Sequence, residues 1–135
     1  MLSKEGDKMQ ELVFHPAWER TISKQDRIKI EEVFTDTHQS VNNDYKIIPI
    51  WQAVNHHGDF LLTTLIHNKT DHALTFQDAQ IEYVFEDETV AAHTFSIPDL
   101  FIKAGTSMPW TFIFPNEQWK EFNLDYIGSV NFEND

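Results

Sequence analysis

From residue 46 to the end of the chain, hydrophobic and polar positions alternate with a period of two, broken at short intervals by turn residues. Ala79, Ile81, Tyr83 and Phe85 share one face, with Gln80, Glu82, Val84 and Glu86 on the other, as in a half-buried strand. The same reasoning predicts strands over residues 46–54 and 60–67, a short one at 74–76, and further strands carrying Ala91, His93, Phe95 and Ile97, then Trp110, Phe112 and Phe114, then Tyr126, Val130 and Phe132. Pro49 cannot donate to a ladder, so the first of these is expected at a sheet edge or at a bulge. Gly128 is a candidate bulge in the last. Turns are expected at residues 56–59, at 68–71, at Asp87 and Glu88, at Pro98-Asp99, which should end its strand, and at 103–107, with one helical turn within 116–122.

Ahead of the strands the period differs. Ser23 followed by Asp26 reads as an N-cap, and Ile30, Val33 and Phe34 then fall on one helical face, which predicts a single helix over residues 24–35. Residues 37–44 form a polar loop. Pro16 disfavours the helical conformation at His15, so the aromatic cluster Phe14-His15-Pro16-Ala17-Trp18 is expected to be extended or turned. Residues 1–11 read as a flexible lead-in and 12–135 as a single domain. The fold class is mainly β: an antiparallel, Ig-like β-sandwich of about seven strands with one N-terminal helix. Alternating βα spacing is absent, which argues against a parallel nucleotide-binding sheet.

Composition supports one core. The chain has 135 residues, 41% hydrophobic, with eleven Phe and four Trp, and a chain of this size buries roughly two-thirds of its unfolded surface. Ten basic residues stand against twenty-two acidic ones, a formal charge of −12. Nucleic-acid binding needs lysine and arginine against phosphates, and no basic cluster occurs, so nucleic acid and anionic lipid are poor partners and a basic protein surface a better one. The absence of cysteine excludes disulfides, thiol catalysis and cysteine-ligated metals and fits the cytoplasm. The opening residues are polar, and the longest apolar runs fall well short of the ~18 residues of a membrane span, so neither export nor a membrane is expected.

Seven histidines are the obvious candidates for chemistry. His56 and His57 are neighbours in a turn and His67 and His72 flank the next loop, yet adjacent strand residues point apart and no HExxH occurs, so the expectation is no metal and no cofactor. His93, sharing a face with Phe95 and Ile97, is expected to be a hydrogen-bonded core imidazole. Glu86-Asp87-Glu88 lacks the spacing of a calcium loop and reads as a solvated hairpin turn. No nucleophile elbow, Walker A loop or dinucleotide fingerprint is present, so no catalytic residue is assigned and the chain is expected not to be an enzyme. The candidate interaction patch is Phe14, His15, Pro16 and Trp18, either docking a protein partner or strapped over an open end of the core.

Three segments together resemble the SLAP domain, a family associated with surface-layer assembly and the accessory Sec pathway of Gram-positive bacteria. They are Phe14-His15-Pro16-Ala17-Trp18-Glu19, Ile66-His67-Asn68-Lys69-Thr70, and Ala104-Gly105-Thr106-Ser107-Met108-Pro109-Trp110-Thr111-Phe112-Ile113-Phe114. The resemblance implies a non-catalytic, cytoplasmic accessory factor whose partner is secretion machinery or a surface-layer protein. A small-ligand or metal-binding sandwich using the His56/His57 turn is the alternative, and pairing of the Pro49 strand with its mate in a homo-oligomer is a third reading.

Overall fold

The structure, a computed structural model, describes residues 10–40 and 44–134. The described residues form seven strands in two sheets that share one core. The four-stranded sheet has the order β1-β6-β3-β2, with β1 at Glu11–Leu12, β2 at Tyr45–Val54, β3 at Phe60–Asn68 and β6 at Thr106–Phe114. The three-stranded sheet has the order β5-β4-β7, with β4 at Leu74–Phe85, β5 at Glu88–Ile102 and β7 at Ser129–Glu133. Pairing is antiparallel except between β1 and β6, where Glu11 and Leu12 run parallel to Thr106 and Ser107. The expectation of an entirely antiparallel arrangement is corrected at that pair.

The core draws on both sheets. Phe60, Leu62 and Ile66 of β3 meet Phe76, Ile81 and Tyr83 of β4, Phe95 of β5 and Phe112 and Phe114 of β6. The other face of β3 is covered as well: Leu65 packs with Ile50 and with Ile30 of a helix in a second, smaller cluster. A strand buried on both faces reads as a nearly continuous apolar run, and 60–66 does. Strand β2 lies at the edge of its sheet, and a register shift falls between Pro49 and Trp51, so both options offered by Pro49 hold. Alternation directs Ile47 to the main core and Ile48 and Ile50 to the outer cluster, and the shift lets Trp51 join that outer cluster too.

Among the described residues two helices lie between β1 and β2, where one was expected. The helix α1 (Pro16–Thr21) starts at Pro16 because His15 is extended (φ −58°, ψ 143°), as a residue before proline prefers, and its Nδ1 accepts the Ala17 N–H as an N-cap. Proline then takes the first helical position, where its missing N–H costs nothing. His15 is thus extended as expected, but the helix begins one residue later, so the aromatic cluster is not extended or turned throughout. The helix α2 (Lys24–Thr37) begins as expected at Ser23, whose Oγ accepts the Asp26 N–H. It runs two residues further than predicted, and a 3-10 turn, His38–Ser40, follows. The rest of the predicted 37–44 loop includes residues 41–43, which lie outside the described residues, as do residues 1–9 of the predicted lead-in. Gln10 and Glu11, also assigned to that lead-in, are hydrogen-bonded into the fold.

Four strand boundaries are corrected. The segments 74–76 and 79–85 belong to one strand, β4, interrupted by a bulge at left-handed Asp78 (φ 53°), whose N–H donates to Ser96 Oγ. Strand β5 continues through Pro98-Asp99, since Phe76 pairs with Ile97 but Thr75 with Phe101, leaving residues 98–100 outside the ladder on an edge strand. Thr106 and Ser107 belong to buried strand rather than to a turn. Finally, Tyr126 lies in an exposed loop, and β7 begins only at Ser129. Between β4 and β5 the chain turns at Glu86 and Asp87, both left-handed, which is the two-residue hairpin geometry that matches strand twist.

Candidate functional site

The cluster Phe14, His15, Pro16 and Trp18 sits where α1 crosses the four-stranded sheet. Phe14 and Trp18 are half-buried and pack on the outer cluster of Ile30, Ile50 and Leu65. Arg27 of α2 stacks its guanidinium 4.3 Å from the Phe14 ring centroid and pairs with Glu19, fastening α1 to α2. The His15 ring meets Trp110 of β6 edge-on at 5.4 Å. Pro16 and Ala17 face solvent. The two helices thus form a strap over the outer face of the sheet, and Phe14 and Trp18 direct much of their surface into it.

Beneath the strap lies a buried polar joint. His67 at the end of β3 is fully buried, as are Asn68 and Ser107. The His67 ring is bonded at both nitrogens, Nδ1 to Ser107 Oγ at 2.6 Å and Nε2 to Thr37 Oγ1 at 2.8 Å. Thr37 Oγ1 donates onward to the Val33 carbonyl at 2.7 Å, so it accepts from His67 Nε2–H. Nδ1 must then accept from Ser107, whose oxygen in turn accepts from Gln10 Nε2 at 3.1 Å. Every proton in this chain points the same way, which fixes the neutral Nε2–H tautomer. Burial first, then the nearby His38 and Lys69, lower the His67 pKa from 6.5 to about 4.

Asn68 completes the joint. Its Nδ2 donates to the carbonyls of His72 and Ile102, each at 3.0 Å, and its Oδ1 accepts from the Thr70 N–H and hydroxyl. Its own carbonyl accepts from Gly105 N–H, and Gly105 adopts φ +74°, a conformation that glycine takes without strain. The Ser107–His67 contact has the atoms of a nucleophile and base, but both residues are sealed from water and the ring's second nitrogen is engaged by Thr37.

The other histidines are placed differently. His56 and His57 lie against each other (4.1 Å between centroids) in an exposed turn, and His72 bonds Asp71 and Tyr45 at the surface. Among the described residues no group of three or more His, Asp or Glu is arranged to hold a metal ion. His93 faces the core by alternation but is half-exposed, because β5 is an edge strand. It rests edge-on against Phe95 at 4.7 Å. The buried imidazole expected at His93 is found at His67 instead. Its signal in the sequence was the run 60–66, a strand covered on both faces, with His67 continuing the outward row Leu61, Thr63, Leu65.

These observations define a class: a mainly β domain of two sheets, with a helical strap across the outer face of one sheet and a buried histidine–asparagine–serine joint beneath it. The family model of the SLAP domain matches residues 12–129, most of the chain. The chain belongs to the SLAP-domain family. No curated protein and no solved structure matches it. The three motifs that carried the resemblance are contiguous in space: His15 touches Trp110, His67 bonds Ser107, and Asn68 binds the 102–105 turn.

Proposed function

We propose that this chain is a non-catalytic, cytoplasmic protein-interaction domain, an accessory factor in Sec-linked export or in the assembly of surface-layer and other cell-surface proteins. The observation that carries the reading is the family match over residues 12–129, which spans all three motifs. The geometry lends support from the other side: the Ser107–His67 pair, the arrangement nearest to a catalytic dyad, is enclosed and hydrogen-bonded into the fold. The same proposal extends to the scaffold, read as an Ig-like sandwich with its β1–β6 pair added in parallel. Affinity capture with the tagged chain from its native cell tests the role. A secretion component or a surface-layer protein is expected among the captured partners, and recovery of neither would defeat it.

A further inference from the structure

The loop at residues 123–127 presents Leu124, Tyr126 and Ile127 to solvent, with exposures of 39%, 63% and 46%. Such a loop could escape its exposure by folding back, but three anchors prevent it. On the incoming side Phe122 is wedged against Phe60, Tyr83 and Phe85, with centroids 5.1–5.8 Å apart. In the middle, Gln52 Nε2 donates to the carbonyls of both Leu124 (2.9 Å) and Tyr126 (2.6 Å). On the outgoing side Gly128 N–H donates to Tyr83 Oη at 2.6 Å, and Tyr83 donates to Gln52 Oε1 at 2.8 Å. One Gln–Tyr pair therefore fixes the backbone while the apolar side chains stay outside. Val54, two residues beyond Gln52 on the same face of β2, is 40% exposed and extends the apolar surface. A rigid backbone bearing exposed apolar anchors loses little entropy on binding.

Charge identifies the partner. Residues 70–135 hold twelve acidic side chains and two basic ones, Lys103 and Lys120, so this half carries −10 of the net −12. Lys120 is already paired with Glu88. Exposed Asp125 lies within the loop, exposed Glu121 precedes it, and the Phe85–Phe122 contact brings the Glu86-Asp87 hairpin tip alongside. A second copy of this chain would bring the same carboxylates face to face. We propose that Leu124, Tyr126, Ile127 and Val54 form a docking ledge for a polypeptide segment that carries lysine or arginine beside apolar side chains. This inference rests on the interaction reading above and gives it a surface.

The test uses the full chain and three short labelled peptides, of lysine and leucine, of lysine and serine, and of glutamate and leucine, followed by fluorescence anisotropy. The lysine–leucine peptide is expected to bind best and to weaken as salt is raised from about 50 to about 200 mM. The double variant Tyr126→Ser/Ile127→Ser should bind it roughly tenfold or more weakly with unchanged thermal stability. Asp125→Lys, which keeps the apolar side chains, should weaken the lysine–leucine peptide and favour the glutamate–leucine one. Equal binding by the double variant, or by the lysine–serine or glutamate–leucine peptide, overturns the ledge. So does a wild-type dimer in sedimentation that the double variant dissociates. Capture of the same secretion component or surface-layer protein by wild type and double variant would sink the ledge and leave the interaction reading standing. Peptide binding without any such capture would do the reverse.

Discussion

Replacing His67 by glutamine and following stability against pH tests the buried joint at its centre. In the folded protein Nδ1 accepts from Ser107 and Nε2 donates to Thr37, so a second proton would place two hydrogens between Nδ1 and Ser107 Oγ and set a charge in a buried site. Burial of that charge, and then the nearby His38 and Lys69, lower the folded pKa from 6.5 to about 4. In the unfolded chain the imidazole protonates near its ordinary value. Between these two values the unfolded state binds the extra proton, so lowering the pH favours unfolding. The contribution is fully present above about 6.5, is lost as pH falls towards 4, and changes no further below. A gap of that size corresponds to about 3 kcal/mol, a large share of the ~5–15 kcal/mol that holds a domain of this size.

Many carboxylates also titrate over this range, so the informative quantity is a difference. Urea denaturation of wild type and His67→Gln at a series of pH values between 7.5 and 4 removes the shared terms. The variant should be the less stable at pH 7.5, having lost a fitted hydrogen-bond partner, and the stability difference should shift in its favour by about 3 kcal/mol as pH falls. Should the variant not fold, proton NMR of the wild type reads the same site, through one imidazole Cε1–H resonance that stays put until near pH 4. Parallel pH profiles for the two proteins, or a His67 resonance that titrates above pH 6, would refute the reasoning.

Four further outcomes follow from the packing. Gly128→Ala would place a Cβ inside the van der Waals shell of the Val84 carbonyl oxygen, so thermal denaturation should show a loss of about 2 kcal/mol or more. Tyr83→Phe removes the hydroxyl that links Gly128 and Gln52. It should cost about 1–2 kcal/mol and raise amide exchange at residues 123–128, and unchanged exchange there would contradict the clamp. Ser23→Ala deletes the α2 N-cap bond to Asp26, with a loss of about 1 kcal/mol in chemical denaturation. Trp18→Ala should lower stability by about 2 kcal/mol, in keeping with a half-buried ring on the outer cluster, and an unchanged melting temperature would show that the strap contributes nothing.

What the sequence disclosed follows the range over which its signals act. The α2 start at Ser23, the bulge at Pro49 and the alternation in β4 each depend on a few neighbouring residues, and each is found in place. The parallel β1–β6 pair joins residues nearly a hundred positions apart, and no local pattern marks two residues as a strand. Pro98 misled for a related reason: proline ends a ladder only where its N–H is needed, and β5 is an edge strand with residues 98–100 looped out of register. Tyr126 continued the alternation of β7 in sequence, yet Gln52 and Tyr83, from other strands, bind the neighbouring backbone and hold it out of the sheet. At the candidate site, the aromatic cluster was visible because its residues are consecutive. The His67–Ser107–Thr37 chain was not, because its members come from three elements and meet only after folding.

The positions of the motifs bear on where binding resides. Of the segments that mark the family, the first contributes His15 to a contact with Trp110, the second contributes His67 and Asn68, and the third supplies Ser107 and the turn that Asn68 holds. These side chains are buried or half-buried, and they link the three segments to one another and to Gln10 and Thr37. A motif used this way specifies how the strap, β3 and β6 lock together, and a substitution within it acts first on stability. On the proposed interaction reading, recognition then falls to side chains that the scaffold holds outward. The loop at 123–127 meets that description: it is fixed by Gln52 and Tyr83, neither of which belongs to the three motifs, and its exposed side chains are not needed for its own conformation. Stability and binding should therefore separate by location. Substitutions in the joint should lower the melting temperature and reduce binding only in step with unfolding, whereas substitutions on the ledge should change affinity at constant melting temperature.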